Sequence, residues 1–166
     1  MTSAHLDHIT FRSVRRAAHH AERNGGFEVC GAIIRTPDGL LRLRPLRNLA
    51  TEPAKWEIDR EWLRQIRREL KDSGSRLAGT YHSHVGGYAY PSPKDLDHYP
   101  SGFLMMIYDT RDRRVGLWRP LIRKEKGRLR SIAVVCESPS WREEDAFSYA
   151  EYLRGKFRNR EKRNEA

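Results

Sequence analysis

The segment Leu77-Ala78-Gly79-Thr80-Tyr81-His82-Ser83-His84 decides the predicted fold, because it combines a short buried strand with two imidazole side chains at its end. Side chains two residues apart in a strand project to the same side of the sheet. His82 and His84 can therefore reach one metal ion. We expect this strand to be a central one, with the candidate site at its end.

The residues after this strand predict a loop and then the start of a helix. Residues 85–90 include two glycines, which permit a tight path around an ion. Ser92 and Pro93 are favoured at the N-cap and the first helical position, so a helix is expected to begin here. Asp95 then falls in the first turn and can face back toward the histidines. Two imidazoles and one carboxylate, with a fourth position left to water, are a ligand set of catalytic zinc.

The rest of the chain alternates between helix and strand patterns. Phe11, Val14 and Ala18 recur at helical spacing, and residues 24–26 end this first helix. The other predicted elements are strands at 28–34 and 40–46 with a turn at 37–39, a second helix carrying Ile58, Trp62, Ile66 and Leu70, strands at 103–108, 115–119 and 129–136, and a last helix within 140–166. Mixed strands with flanking helices predict an α/β fold around one curved sheet.

The spacing of His82, His84, Ser92 and Asp95 resembles the signature of the JAMM, or MPN+, metalloproteases, which is His-x-His, seven residues, Ser, two residues, Asp. The match has no gap or substitution. The family also carries a glutamate on an early strand, usually just before a Cys-Gly pair, and Glu28 is similarly placed. The resemblance extends from about residue 17 to residue 118 and includes Asn48 and residues 56–59.

This resemblance implies a single MPN-like domain: a mixed curved β-sheet flanked by helices, with one zinc ion at the end of a central strand. It implies that His82, His84 and Asp95 bind the zinc. It further implies that Glu28 acts as general base and then acid, and that Ser92 donates a hydrogen bond to the developing oxyanion. Members with the intact motif hydrolyse the amide or isopeptide bond after the C-terminal glycine of a ubiquitin-like protein. Compact bacterial relatives process ubiquitin-like or sulfur-carrier proteins, some within antiphage operons.

Several residues keep a second interpretation from the sequence alone. Glu28 is also compatible with an edge-facing charge, and Ser92 with a helix cap only. Asp97 and His98 are close enough in sequence to orient a ligand, although we expect both to be exposed. His19 and His20 are expected at the surface. For the whole chain, the alternatives to a zinc isopeptidase are a noncatalytic MPN-type scaffold and a basic nucleic-acid-binding module.

Length and composition predict one domain over residues 1–166, in which residues 158–166 form a basic, frayed tail. The sequence has no run of about 18 apolar residues, so we expect a cytoplasmic protein without a membrane partner. A reducing compartment disfavours disulfides, and Cys30 and Cys136 lie in apolar runs, so we expect two buried free thiols.

The chain is strongly basic, with 32 Lys and Arg against 22 Asp and Glu and a net charge of +10. The basic residues are dispersed and accompany no nucleic-acid-binding motif, so we expect an acidic protein partner rather than nucleic acid. Residues 85–90 and 99–103 are candidates for a substrate groove, with Tyr88 and Tyr90 packing on the modifier or forming a lid. The sequence leaves the oligomeric state open.

Overall fold

The computed structural model describes residues 3–97, 99–100, 102–120 and 129–136. The elements in chain order are β1 (Ser3–Leu6), α1 (His8–Arg23), β2 (Cys30–Arg35), β3 (Leu41–Leu46), α2 (Arg60–Leu70), β4 (Arg76–His84), α3 (Pro93–Leu96), β5 (Leu104–Asp109), β6 (Arg114–Pro120) and β7 (Leu129–Cys136). The predicted last helix within 140–166, the tail at 158–166 and His98 lie outside the described residues.

The strands form one mixed sheet that closes into a barrel, in the order β1, β3, β2, β4, β5, β6, β7. The strand that carries the two histidines, β4, is antiparallel to β2 and parallel to β5. The predicted α/β fold with a mixed curved sheet is confirmed. Sequence analysis does not predict β1, which closes the barrel by pairing with β7 and with β3 at Leu6. A strand of four residues is too short to give a periodic signal.

The two faces of β5 show how the helices pack on this sheet. Alternate side chains of a strand point to opposite faces. Leu104, Met106 and Tyr108 join the largest hydrophobic cluster, which also contains the buried face of α1. Met105 and Ile107 belong to a different cluster, against which residues flanking the site helix α3 are packed. The sheet therefore separates α1 from the candidate site.

The second helix, α2, packs against the strands β2 and β4. Its N-cap is Asp59, whose side chain accepts a hydrogen bond from the Glu61 N–H. Because Asp59 caps the helix, Ile58 lies outside it, contrary to the predicted spacing. Ile66 is the buried residue of α2 and contacts a cluster with Ala32 of β2 and Leu77 of β4. This contact fixes α2 beside the strand that carries the histidines.

The strand β2 begins at Cys30 rather than at residue 28. Val29 donates its backbone N–H to the Ser83 hydroxyl at 2.9 Å, and its carbonyl accepts from the Ser83 N–H at 2.9 Å. The Ser83 hydroxyl thus takes the place of a backbone carbonyl as the acceptor of the Val29 N–H. Glu28 is left outside the strand, at the edge where β4 ends.

Gly79 allows β4 and β5 to approach closely. A Cβ atom at this position would lie 1.8 Å from the Leu104 carbonyl oxygen, closer than any real contact. Only glycine therefore fits at this position of the paired strands.

Four further expectations concern individual side chains. Cys30 and Cys136 are buried free thiols, as predicted. His20 is exposed as predicted, but His19 is partly buried, because its Nε2 lies 2.9 Å from the Tyr108 hydroxyl.

Among the described residues, no helix is long and apolar enough to cross a membrane.

Candidate metal centre

Three side chains from β4 and α3 converge on one point. His82 Nε2 lies 3.0 Å from His84 Nε2 and 3.2 Å from Asp95 Oδ1, and His84 Nε2 lies 3.4 Å from Asp95 Oδ2. Their potential ligand atoms all lie within 4.8 Å of one another. The histidines come from alternate positions at the end of a strand, and the carboxylate comes from the first turn of the facing helix.

The cap of α3 aims Asp95 at the histidines. Ser92 is the N-cap, as predicted, and its Oγ accepts from the Asp95 N–H at 3.3 Å. In return, Asp95 Oδ2 accepts from the Ser92 N–H at 2.7 Å and from the Ser92 hydroxyl. These reciprocal hydrogen bonds form a capping box, which fixes the side chains of both Ser92 and Asp95. Residues only three positions apart therefore position the carboxylate, and this part of the geometry needs no long-range contact.

His84 is oriented by the loop that follows it. Its Nδ1 lies 2.7 Å from the Tyr88 carbonyl oxygen, which can only accept a hydrogen bond. The proton of a neutral His84 imidazole is therefore held on Nδ1, and the lone pair of Nε2 is directed at Asp95 and His82. Such an outer contact sets the tautomer of metal-binding histidines.

Trp56 holds the other two side chains of the cluster. Its indole ring is stacked on His82, and its Nε1–H donates to Asp95 Oδ1 at 2.9 Å. The sequence marks Trp56 only as part of the segment of family resemblance at residues 56–59. The missed signal was a large aromatic residue with one N–H donor, which needs a partner wherever it is buried.

Burial and mutual contacts shift the pKa values of the three groups in different directions. Burial lowers the pKa of His82, so its imidazole is neutral. Burial also opposes a charge on His84, but the hydrogen bond and charge of Asp95 outweigh it and raise the pKa of His84. Burial acts to raise the pKa of Asp95, yet the hydrogen bonds from both histidines hold that pKa far below its usual range. Asp95 thus favours the protonated form of His84, and the two histidines favour the ionised form of Asp95.

This donor set fits zinc. Zinc in catalytic sites takes three protein ligands of imidazole and carboxylate type and keeps a fourth position open. A metal binds an unprotonated imidazole nitrogen, so a cation would compete with protons for His84 Nε2. Among the residues that the structure describes, this cluster is where three such groups meet in ligand geometry.

Glu28 lies beside the cluster without belonging to it. It is only 6% exposed, and it lines the same cleft as His84 and Asp95. Burial raises the pKa of Glu28 to about 7, with His84 acting in the opposite direction. A carboxyl group with this pKa exchanges a proton readily near neutral pH, as a general base must.

Two contacts fix the backbone at Glu28. The paired hydrogen bonds between Val29 and Ser83 attach its neighbour to the residue between the two histidines. Asn48 donates from Nδ2 to the Glu28 carbonyl at 2.9 Å and to the Lys55 carbonyl at 2.9 Å. Residues far apart in sequence therefore determine how close Glu28 comes to the cluster.

A profile of prokaryotic homologues of the JAB domain matches residues 12–120. The chain belongs to this family. A desampylase from Pyrococcus furiosus is 26% identical over 125 residues, which cover 74% of this chain and 85% of that protein. The matched region of the family contains every residue of the cluster and Glu28.

Solved structures give the same fold as that expected of the JAB family. A protein from Desulfitobacterium hafniense matches 81% of this chain and 93% of its own, at 20% identity and a TM-score of 0.65. A protein from Salinibacter ruber matches 86% of this chain and 95% of its own, at 22% identity and a TM-score of 0.52. A JAB1/MPN domain protein from Archaeoglobus fulgidus matches 81% of this chain and all of its own, at 17% identity and a TM-score of 0.50. At these identities, the likeness supports the fold.

A cleft of about 1310 Å³ extends from the candidate metal centre of this JAB-family chain to α2. Its walls include Trp56, Tyr99 and Phe103, and three arginines of α2 at positions 60, 64 and 67. The carboxyl groups at positions 57, 59 and 97 also line it. Asp97 is exposed, as predicted. Both segments of the predicted groove therefore border this cleft, through Tyr99, Pro100 and Phe103 of one and Val85 and Gly87 of the other.

The two tyrosines of the loop have different surroundings. The Tyr90 ring packs on Trp118 in an edge-to-face contact with centroids 4.8 Å apart, within a buried cluster. Tyr90 is partly buried, and this contact favours its predicted lid role over packing on the modifier. Tyr88 is 41% exposed. Its backbone carbonyl lies 2.7 Å from His84 Nδ1 in the candidate site.

Proposed function

We propose that this JAB-family chain is a zinc-dependent hydrolase that cuts the amide bond after the C-terminal glycine of a ubiquitin-like modifier. The observation that carries the proposal is the placement of buried Glu28 in the same cleft as the His82, His84 and Asp95 cluster. Amide hydrolysis needs a base that can also become an acid, beside a group that polarises the carbonyl. The similarity to a desampylase supports the same class of substrate.

In this proposal, His82, His84 and Asp95 hold the zinc ion. When bound, zinc brings the pKa of water near neutrality and polarises the scissile carbonyl. Glu28 accepts the proton of the attacking water and delivers it to the leaving amine. The raised pKa of about 7 supports both steps, because neither the protonated nor the ionised carboxyl group is strongly favoured near neutral pH.

Ser92 is proposed to stabilise the oxyanion. In the structure its hydroxyl donates to Asp95 and its lone pair accepts from the Asp95 N–H. A hydroxyl hydrogen can rotate about the C–O bond while the oxygen keeps its acceptor bond. Ser92 can therefore remain the helix cap and still turn its hydrogen toward a substrate oxygen. This reconciles the two roles that the sequence leaves open.

The cleft is proposed to take the extended, glycine-ending tail of the modifier. An extended tail adds most simply as a strand beside the site. The arginines of α2 that line the cleft would attract an acidic face of the modifier, in keeping with the net charge of +10. A sulfur-carrier protein ending in glycine offers the same bond and is the alternative substrate.

The test is hydrolysis of a defined fusion. A ubiquitin-like protein ending in glycine is joined through that glycine to a reporter peptide and incubated with zinc-loaded protein. The product mass should place the cut after the glycine, and Glu28→Gln should abolish it. Zinc-loaded protein that cleaves neither ubiquitin-like nor sulfur-carrier fusions would favour the noncatalytic scaffold.

A reading frame for a glycine-ending modifier beside activating-enzyme genes would identify the natural substrate and show whether an antiphage operon is its setting.

A further inference from the structure

We infer that Asp109 is a positioning residue for the metal ligand His84, acting through the loop at residues 85–90. Asp109 ends β5 directly beside His84, its register partner in β4. Its side chain is buried, with 0% exposure. A buried carboxylate is costly unless hydrogen bonds satisfy it. The bonds that it makes therefore indicate what it does in this fold.

Asp109 holds two backbone N–H groups. Its Oδ1 accepts from the Gly87 N–H at 3.1 Å, and its Oδ2 accepts from the Asp112 N–H at 2.9 Å. The second bond closes the turn that follows β5. The first reaches the middle of the loop after the histidines, one residue before Tyr88. It is this first bond that links Asp109 to the metal centre.

The link continues through the Tyr88 carbonyl. This oxygen lies 2.7 Å from His84 Nδ1 and fixes the proton of a neutral imidazole there. Because Gly87 and Tyr88 are consecutive, holding the Gly87 N–H limits where the Tyr88 carbonyl can point. Asp109 thus acts on His84 indirectly. It restrains the loop whose Tyr88 carbonyl holds the proton on Nδ1, and the Nε2 lone pair stays available to a metal.

Other anchors hold the ends of this loop, and within it the Tyr90 N–H donates to the Tyr88 carbonyl at 2.7 Å. At the start, Thr110 donates its N–H and its hydroxyl to the His84 carbonyl, at 3.1 and 3.2 Å. At the end, Trp118 Nε1 donates to the Ala89 carbonyl at 2.9 Å. The middle contains Gly86, with φ of 68° and open space around its Cα. With no side chain there to pack, the bond from the Gly87 N–H to Asp109 restrains the part of the loop that leads to the Tyr88 carbonyl.

The inference rests on the proposed function only for the identity of the metal, and the experiment separates the two. The first readout is the His84 tautomer in zinc-free protein, read from imidazole ¹⁵N chemical shifts at alkaline pH, where histidines are neutral. Wild-type His84 should be the Nδ1–H form. Asp109→Ala should give a mixture of both tautomers. The second readout is zinc affinity by chelator competition, which should fall by roughly 10- to 100-fold.

The matched control is Asp7→Ala. Asp7 also accepts a backbone N–H, from Ile9 at the start of α1, so its loss weakens the fold away from the site. This variant should keep the wild-type tautomer and zinc affinity. If Asp109→Ala keeps a single Nδ1–H tautomer and wild-type zinc affinity, the inference is wrong. Should Asp109→Ala not fold, wild-type protein still decides: an Nε2–H tautomer of His84 overturns the inference. Failure of wild-type protein to bind zinc would instead refute the proposed function.

Discussion

Trp56 lies face to face with His82, with ring centroids 4.5 Å apart and planes 15° from parallel. The same indole donates its N–H to Asp95 Oδ1 at 2.9 Å. One side chain from the segment before α2 therefore restrains ligands from two other elements. It fixes the ring plane of the histidine and the direction of the carboxylate together.

The donor bond and the stacking contact of Trp56 can be separated by Trp56→Phe. A phenyl ring keeps an aromatic face for His82 but cannot donate to Asp95. Loss of such an outer hydrogen bond costs about 10- to 100-fold in metal affinity. We expect this drop in a chelator competition with zinc. Trp62→Phe, in α2, is the matched control and should bind zinc as wild type does. Equal affinities of the two variants would limit Trp56 to a packing role.

The double variant His82→Ala with His84→Ala should abolish zinc binding. Two of three protein ligands are removed, and the remaining carboxylate is a poor zinc site by itself. Elemental analysis of protein purified without added metal should find about one equivalent in wild type and none in the variant. His19→Ala with His20→Ala is the control for loss of two histidines. Stoichiometric zinc in the first variant would place the metal elsewhere.

Glu28→Gln should separate chemistry from metal binding. The amide has nearly the same shape as the carboxyl group but cannot accept the proton of water. We expect zinc content and fold to be retained, while single-turnover hydrolysis falls by about 10² to 10⁴. The protein would then trap its substrate. Glu57→Gln, which changes an exposed carboxyl group of the same cleft, should retain activity. Loss of zinc along with activity would make Glu28 a ligand.

Charge reversal on α2 tests the cleft as the substrate surface. Arg60 and Arg67 line the cleft, and the Arg67 guanidinium lies 5.4 Å from the centre of the Phe103 ring. Arg60→Glu with Arg67→Glu should raise the KM for a folded acidic modifier by about tenfold, since two exposed charge contacts are each worth up to about 1 kcal/mol. The effect should shrink at high salt.

The control for that variant is Arg12→Glu with Arg16→Glu, which makes the same charge change on exposed residues of α1. It should leave KM close to wild type. Equal changes in the two variants would show that net charge, rather than the cleft, attracts the modifier. A change in kcat without a change in KM would place the arginines outside substrate binding.

Gly79→Ala should destabilise the barrel where β4 pairs with β5. The added Cβ would meet the Leu104 carbonyl at 1.8 Å, and a backbone oxygen in a paired strand cannot move aside easily. Overpacking of this kind costs about 1–3 kcal/mol or more, which a urea unfolding curve can measure. Gly39→Ala is the comparison, because φ there is 88° but nothing lies within 4 Å of its Cβ. A smaller loss at residue 79 than at residue 39 would contradict this account.

Much of the site follows from local sequence. Alternation in β4 places His82 and His84 on one side, and the Ser92 cap with Pro93 starts the helix that presents Asp95. These patterns act over a few residues, so they can be read without the fold. The roles of Glu28 and Ser92 in catalysis and of the three ligands in zinc binding stay predictions.

Other features could not be read in this way. The partial burial of Tyr90 depends on Trp118, and that of His19 depends on Tyr108. Closure of the barrel depends on four residues of β1 that reach β7 across nearly the whole described chain. In each case the partner lies far along the sequence, and a pattern read within one segment carries no information about it.

The sequence by itself determined which side chains would face a common ion and which family the chain resembles, because both depend on residue type and short spacing. Only the tertiary structure decided what surrounds them. It brought Glu28 to the cleft through Ser83, stacked Trp56 on His82, and placed Asp109 under the loop that orients His84. Those arrangements depend on the register of β2, β4 and β5. Register is set by the packing and hydrogen bonding of whole strands, which no short segment specifies.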